Sequence, residues 1–202
     1  MYDNLIIPIF PLSGVIFFPN TNLPLNIFEE RYIDMINHAL KKDKKIGMIQ
    51  SKENGELYSV GCLGKITSFE ETRDGRYLIN LLGQDFFTAK KETTSNYKFR
   101  MINISLIKNK IEPESDLKKI NKNLLLKGYQ RYVDGTNLDI DLNIINSVDT
   151  VTLIKFIAMT SPFSVADKQM LLETRSTKML YEKLIALFDF YLSDKEIQNS
   201  IN

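Results

Sequence analysis

Cysteine and histidine are almost absent from this chain. One cysteine, Cys62, and one histidine, His38, stand in 202 residues. A lone cysteine excludes an internal disulfide and suits a reducing compartment. One of each excludes a Cys/His zinc site built within a single chain. Neither sign of charge is in excess. There are 15 Lys/Arg against 13 Asp/Glu before Pro113, and 11 against 12 from there on. Neither half has the basic surplus of a broad nucleic-acid surface. No apolar run reads as a membrane helix. The opening also lacks the basic leader of an export signal: Asp3 is acidic, and prolines cut the apolar residues that follow. The expectation is a soluble, cytoplasmic protein.

What is present suffices for a core. Hydrophobic residues make up 44% of the chain and charged residues 25%, close to globular averages. The length fits one large domain or two small ones. Four of the six prolines (Pro8, Pro11, Pro19 and Pro24) crowd into the apolar stretch from Asn4 to Tyr32. Proline lacks an N–H and is confined to strand edges, strand starts and turns. The stretch therefore reads as short extended pieces leading from a first strand to a first helix.

Residues 1–111 read as a β-rich half. "NLIIPIF", Lys45–Gln50, Leu57–Glu71, Arg76–Lys91 and Tyr97–Ile107 are strand-like runs. Asn54-Gly55 and Asp74-Gly75 mark hairpin turns between them. The alternation in the last run slips near Ile102, as at a bulge. One helix interrupts this half, from Glu29 to about Lys42, with Tyr32, Ile33, Ile36, Ala39 and Leu40 on its apolar face. Acidic residues open it and lysines close it, matching the helix dipole.

Residues 112–202 read as about four helices. The first runs from Glu114 to about Val133 with Leu117, Ile120 and Leu124 on one face. Asp134–Asn143 reads as a loop. Val148, Val151, Ile154 and Ala158 mark a second helix that ends near Pro162. Ser164 and Asp167 form a capping box for a third, through Glu173. Leu180, Leu184, Leu187, Phe188 and Tyr191 line the last. An α+β chain with segregated halves is expected.

Local motifs do not assemble a catalytic site. Gly61 to Lys65 has the wrong spacing for a phosphate loop, and Ile66 stands where Ser or Thr is needed. Its glycines read instead as room for a bulge or close backbone packing. Cys62, between glycine and leucine, reads as a buried, inert thiol. The pairs Glu29-Glu30 and Glu70-Glu71 do not aim two carboxylates at one point, because strand neighbours face opposite ways and helix neighbours diverge. No G-x-S-x-G is present, and no local signature of a Ser-Lys or Ser-His dyad. No enzyme, cofactor or metal is expected.

Several ordered motifs carry a resemblance. P-L-x-x-V-x-x-F-P spans Pro11–Pro19, followed by Leu23–Leu25, Ile27–Glu29 and Arg31-Tyr32. "IGMIQ", "YSVGCLGKI" and "DGRYLINLLG" come next, then "SVADKQMLLE" from Ser164. In order and spacing, over about residues 5–190, the chain resembles the amino-terminal substrate-binding domain of the Lon protease family in stand-alone form. The resemblance implies a PUA-like six-stranded β-barrel subdomain with one helix, residues 1–111. A C-terminal helical bundle, residues 112–202, follows it. It also implies recognition of polypeptides rather than chemistry. The chain ends at Asn202 without the ATPase and peptidase modules of the full protease, so hydrolysis of ATP or peptides is not expected.

The partner expected is an unfolded or partly exposed polypeptide, bound in an apolar groove or along an edge strand. Phe17, Phe18, Leu23 and Phe28 are the candidates for apolar contact. Glu29, Glu30 and Arg31, at the start of the first helix, are candidates to orient a partner. Core packing and a solvated helix end are the competing readings of these two groups. Two alternatives stay open: an adaptor for one folded partner such as a protease, and a small-molecule or RNA-binding PUA-like module. The balanced charge weighs against RNA, and nothing calls for a membrane. The oligomeric state is not encoded in any motif.

Overall fold

In the computed structural model the described residues are 3–108, 112–134 and 148–201. Six strands with one helix among them come first along the chain, and the other helices follow. β1 is Asp3–Pro11, β2 Asn22–Ile27, α1 Glu30–Leu40, β3 Lys45–Ser51, β4 Leu57–Glu71, β5 Tyr77–Thr93 and β6 Met101–Leu106. α2 is Glu114–Leu117, α3 Lys122–Asp134, α4 Thr150–Thr160, α5 Val165–Glu173 and α6 Thr177–Ile201. They sort into two compact units. One holds the strands with α1 and α5, the other holds α2, α3, α4 and α6.

The strands form one mixed six-stranded sheet in the order β2-β5-β4-β3-β1-β6. β1 and β3 are parallel, and the other pairs antiparallel. β5 is long, and it pairs on one edge with β4. Along its other edge it meets β2 over Tyr77–Leu82 and then β6 over Phe87–Thr93. Because β5 and β6 pair, the run from β5 to β6 returns on itself.

Between the two partners of β5 lies Gly83. Its N–H donates to the Thr21 carbonyl and its carbonyl accepts from Asn20 N–H, both at 2.9 Å. A Cβ there would stand 2.0 Å from the Phe18 carbonyl oxygen, so only glycine lets this loop lie on the strand. The proline-rich opening is thus fastened to β5.

Proline placement follows the missing N–H. Pro8 sits inside β1, not at a break as the sequence implied. There β1 pairs with β6, and its pairing to β3 begins only at Ile9. Pro11 ends the strand, and Pro24 lies in β2, which pairs only with β5 among the described strands.

Turn chemistry sets the hairpins. Gly55 and Gly75 have φ of +82° and +81°. Lys52 N–H donates to the Glu56 carbonyl and Thr72 N–H to the Arg76 carbonyl, each at 2.8 Å, closing the two turns. The slip near Ile102 is a bulge. Ala89 pairs with Ile104 and Glu92 with Ile102, so the extra residue lies on β5.

The core of the strand unit gathers Ile7, Ile9, Ile49, Leu63, Phe87, Ile102 and Ile104. Burying a side chain such as Phe87 contributes about 2–3 kcal/mol. A Cβ at Gly61 would lie 2.5 Å from the Phe87 ring and 2.4 Å from the Met48 carbonyl oxygen. This is close packing, as read from the sequence, and Cys62 beside it is buried. α1 buries Tyr32, Met35, Ile36 and Ala39.

α5 belongs to this unit through its polar side chains. Ser164 accepts from Asp167 N–H at 3.1 Å and donates to the Asp167 carboxylate at 2.6 Å, the cap expected from the sequence. Gln50, fully buried, donates to Gln169 Oε1 at 3.0 Å and to the Val165 carbonyl at 3.1 Å. Gln169 donates to the Val60 carbonyl at 3.2 Å, and Lys168 Nζ to the Gly14 carbonyl at 2.8 Å. Burial lowers the Lys168 pKa.

In the helical unit the single helix expected from Glu114 is broken. α2 stops at Leu117, and Asn121 starts α3 afresh by accepting from Leu124 N–H at 3.0 Å. The new phase turns Leu125 inward and leaves Leu124 exposed, which corrects the expected face. α3 and α4 both pack on α6. Gly128 leaves room for Phe188, whose ring lies 5.7 Å from Tyr129 and 5.4 Å from Tyr132. Leu180, Leu184 and Leu187 are buried along α6 as expected. The loop expected at Asp134–Asn143 lies, beyond Asp134, outside the described residues.

Candidate binding groove on the β2–β5–β4 face

Strand β5 carries apolar residues on both faces. Tyr77, Ile79 and Leu81 turn inward and are buried, whereas Leu78 and Leu82 turn outward and are 41% and 36% exposed. Burial explains the first set but not the second. In register, Leu78 is opposite Asn26 of β2 and Glu70 of β4, and Asn80 is opposite Pro24 and Ser68. These residues line an open groove of about 500 Å³, with Leu25, Phe69 and Ile79 completing its walls.

The groove joins apolar and amide chemistry. Asn80 Nδ2 donates to Asn22 Oδ1 at 2.8 Å and to Thr67 Oγ1 at 2.9 Å, tying three strands across the face. Phe69 packs edge-on against Tyr77 with centroids 4.8 Å apart and stays 40% exposed. Tyr77 is held in turn by Asn37 of α1, which donates to its hydroxyl at 3.2 Å. The wall is therefore supported from behind by the core and α1.

β2 borders the groove and is an edge strand among the described residues. An edge strand offers unpaired backbone groups to an extended chain. Pro24 in its middle has no N–H to give.

The residues singled out from the sequence divide between core and surface. Phe17 and Phe18 are each 1% exposed, and Phe18 meets Phe86 edge-on at 6.1 Å. They are framework of the folded unit, not a contact surface. Leu23 is half-buried on the inward side of β2, opposite Leu81. Phe28, directly after β2, is 67% exposed and offers an aromatic face to solvent.

Glu29, Glu30 and Arg31 are exposed at the start of α1 and already have partners within the chain. Arg31 pairs with Glu29 at 2.7 Å and lies 4.5 Å over the Tyr32 ring. Glu30 pairs with Lys98 at 3.0 Å. Glu29 occupies the cap position without a side-chain cap bond. His38 stacks edge-on with Tyr97 and Phe99, and burial, with Lys42 and Lys41 nearby, lowers its pKa.

Pro24, Phe69, Leu78 and Asn80 were not singled out from the sequence. The available signal was the two-sided apolar pattern of "YLINLL", which a half-solvated strand does not need. Among the described residues no group of three His, Cys, Asp or Glu side chains is placed to hold a metal ion. Among them, too, no helix is long and apolar enough to cross a membrane.

Known proteins similar to this chain share one theme. A Lon protease of Buchnera aphidicola subsp. Baizongia pistaciae is 28% identical over 212 residues, covering 96% of this chain and 26% of that protein. A Lon protease of Dictyoglomus thermophilum is 24% identical over 206 residues, covering 97% and 26%. The chain thus spans about a quarter of the length of these relatives. The fold is that of the N-terminal domain of Mycobacterium avium complex Lon protease, with TM-score 0.67, 15% identity and coverage of 92% of this chain and 98% of that one. A Lon N-terminal domain protein from Xanthomonas campestris aligns with TM-score 0.63 at 18% identity, covering 90% and 98%. Residues 6–189 match the family described as the ATP-dependent protease La (LON) substrate-binding domain, and the chain belongs to that family.

Proposed function

We propose that this chain is a non-catalytic polypeptide-binding module, acting in the cytoplasm in protein quality control. The β2–β5–β4 groove takes an extended, partly apolar segment. The observation that carries this reading is the outward row of Leu78 and Leu82 beside the edge strand β2. Exposed apolar groups rimmed by polar ones are the usual mark of an interaction surface. Here they sit on a rigid sheet, which limits the ordering cost of binding.

Membership of the substrate-binding family supports the polypeptide as ligand. The returning run of strands supports the description of the strand unit as a PUA-like barrel. Phe28, exposed at the end of β2, extends the contact surface beyond the groove.

The test is binding of a reduced, permanently unfolded protein to the purified chain. Saturable binding that Leu78→Glu weakens, with folding intact, supports the reading. Absence of saturable binding at low and moderate salt overturns it. Stoichiometric recovery of one folded partner, with no affinity for unfolded chains, would favour an adaptor instead.

A further inference from the structure

Among the residues that line the groove, only one is ionisable. Glu70 stands directly opposite Leu78, its side chain on the exposed face of β4. No ion pair engages it among the described residues. The nearest cation in register is Arg76, in the turn just before β5. Arg76 is paired with Asp74 of the turn at 2.8 Å. Lys65 stands opposite Leu82 on the same strand face. It lies five residues along β4 from Glu70, about 15 Å at the rise of a strand. The groove therefore presents an apolar floor, neutral amides and hydroxyls, and one carboxylate with no ion pair among the described residues.

We infer that this carboxylate selects the segment that binds: an extended peptide with apolar residues at alternate positions and a lysine or arginine placed to meet Glu70. Alternation suits a sheet face, where every second side chain points down. One face meets Leu78, and a cation two residues from an apolar anchor reaches Glu70, which stands opposite Leu78 on the same sheet face. An acidic residue at that position faces a like charge and is disfavoured. The inference rests on the groove being the polypeptide site.

The strength of such a pair is limited because Glu70 is exposed. Exposed ion pairs shift equilibria by about two- to fivefold. The groove thus sets a preference among segments and does not by itself provide affinity.

The experiment uses the full chain and three labelled nine-residue peptides with leucine at alternate positions. They carry Lys, Gln or Glu at one position near the end. Fluorescence anisotropy gives the three dissociation constants for wild type, Glu70→Gln and Glu70→Lys. Wild type is expected to bind the Lys peptide about two- to fivefold tighter than the Gln peptide, and the Glu peptide weakest. Glu70→Gln is expected to level the three, and Glu70→Lys to reverse their order. The wild-type ranking is expected to collapse in 1 M salt, where charges are screened within about 3 Å. An order of affinities that Glu70→Gln leaves unchanged overturns the inference, while the groove reading survives through the Gln peptide. Failure of all three peptides to bind overturns the groove reading itself. A second copy of the chain occupying this face, seen as concentration-dependent dimers that Leu78→Glu abolishes, overturns the inference as well.

Discussion

Gln50 Nε2 donates to Gln169 Oε1 at 3.0 Å, joining β3 to α5 across 119 residues of sequence. Both side chains are buried, and Gln169 also reaches the Val60 carbonyl of β4. A buried amide left without its partner costs about 1–3 kcal/mol. Gln169→Leu is expected to destabilise the chain by about 2–3 kcal/mol in chemical denaturation. The double replacement Gln50→Leu/Gln169→Leu removes both ends and should recover part of that loss. Independent, additive losses would show that the two amides are not coupled.

Glu112 caps α6 from outside the helix. Its carboxylate accepts from Ser176 Oγ at 2.7 Å, Thr177 N–H at 2.9 Å and Lys178 N–H at 3.0 Å. Burial acts to raise its pKa, but the hydrogen bonds from Thr177, Lys178 and Ser176 outweigh it and hold the group at about 2, below the ordinary 4.5. A depressed carboxylate stabilises the fold fully above its unfolded value. That contribution fades as pH falls from about 4.5 towards about 2. Glu112→Gln is expected to cost about 1 kcal/mol at neutral pH, as for loss of a helix cap. The difference from wild type in thermal unfolding should shrink as pH falls through that window. A difference that stays constant with pH would contradict the capping role.

Phe17 and Phe28 separate framework from surface. Phe17→Ala empties a fully buried site and is expected to cost about 3–5 kcal/mol. Phe28→Ala, at an exposed position, is expected to change stability by less than about 0.5 kcal/mol and to weaken peptide binding. Paired denaturation and binding measurements check both. Equal stability effects would show that the two rings share one environment.

Gly83→Ala places a methyl against the Phe18 carbonyl. The loop must move, because the obstacle is backbone and not a flexible side-chain tip. The expected cost is about 2–3 kcal/mol, with loss of amide protection at Gly83 and Asn20 in hydrogen exchange. Ser59→Ala, an exposed change on β4, serves as control and should be near neutral.

Local signals in the sequence carried the elements they belong to. Ser164 and Asp167 announced α5, and the two Asn/Asp-Gly turns announced the hairpins, because a cap and a turn are made by neighbours in sequence. The break before α3 was hidden. Asn121 acts as a cap only once the chain leaves the helix at Leu117, and the apolar phase reads smoothly across it until Leu124 is seen to face water. The docking of α5 with the strands was also hidden, since Gln50 and Gln169 carry no apolar periodicity. The groove depended on the register of β5 with β2 and β4, and two bulges between β4 and β5 shift that register in ways composition does not reveal. Phe17 and Phe28 show the same limit. Both are aromatic residues in one proline-rich stretch, and only the fold sends one inward and the other outward.

The groove is tested most directly at Leu78, an apolar side chain 41% exposed on the outward face of β5. Wild type and Leu78→Glu are titrated with the same alternating leucine peptide, and their unfolding midpoints are compared. Saturable binding to wild type is expected, at least about tenfold weaker in the variant. The midpoints are expected to lie within about 2 °C of each other, as for an exposed substitution. Equal affinity of the two proteins, with the variant folded, would contradict the groove reading.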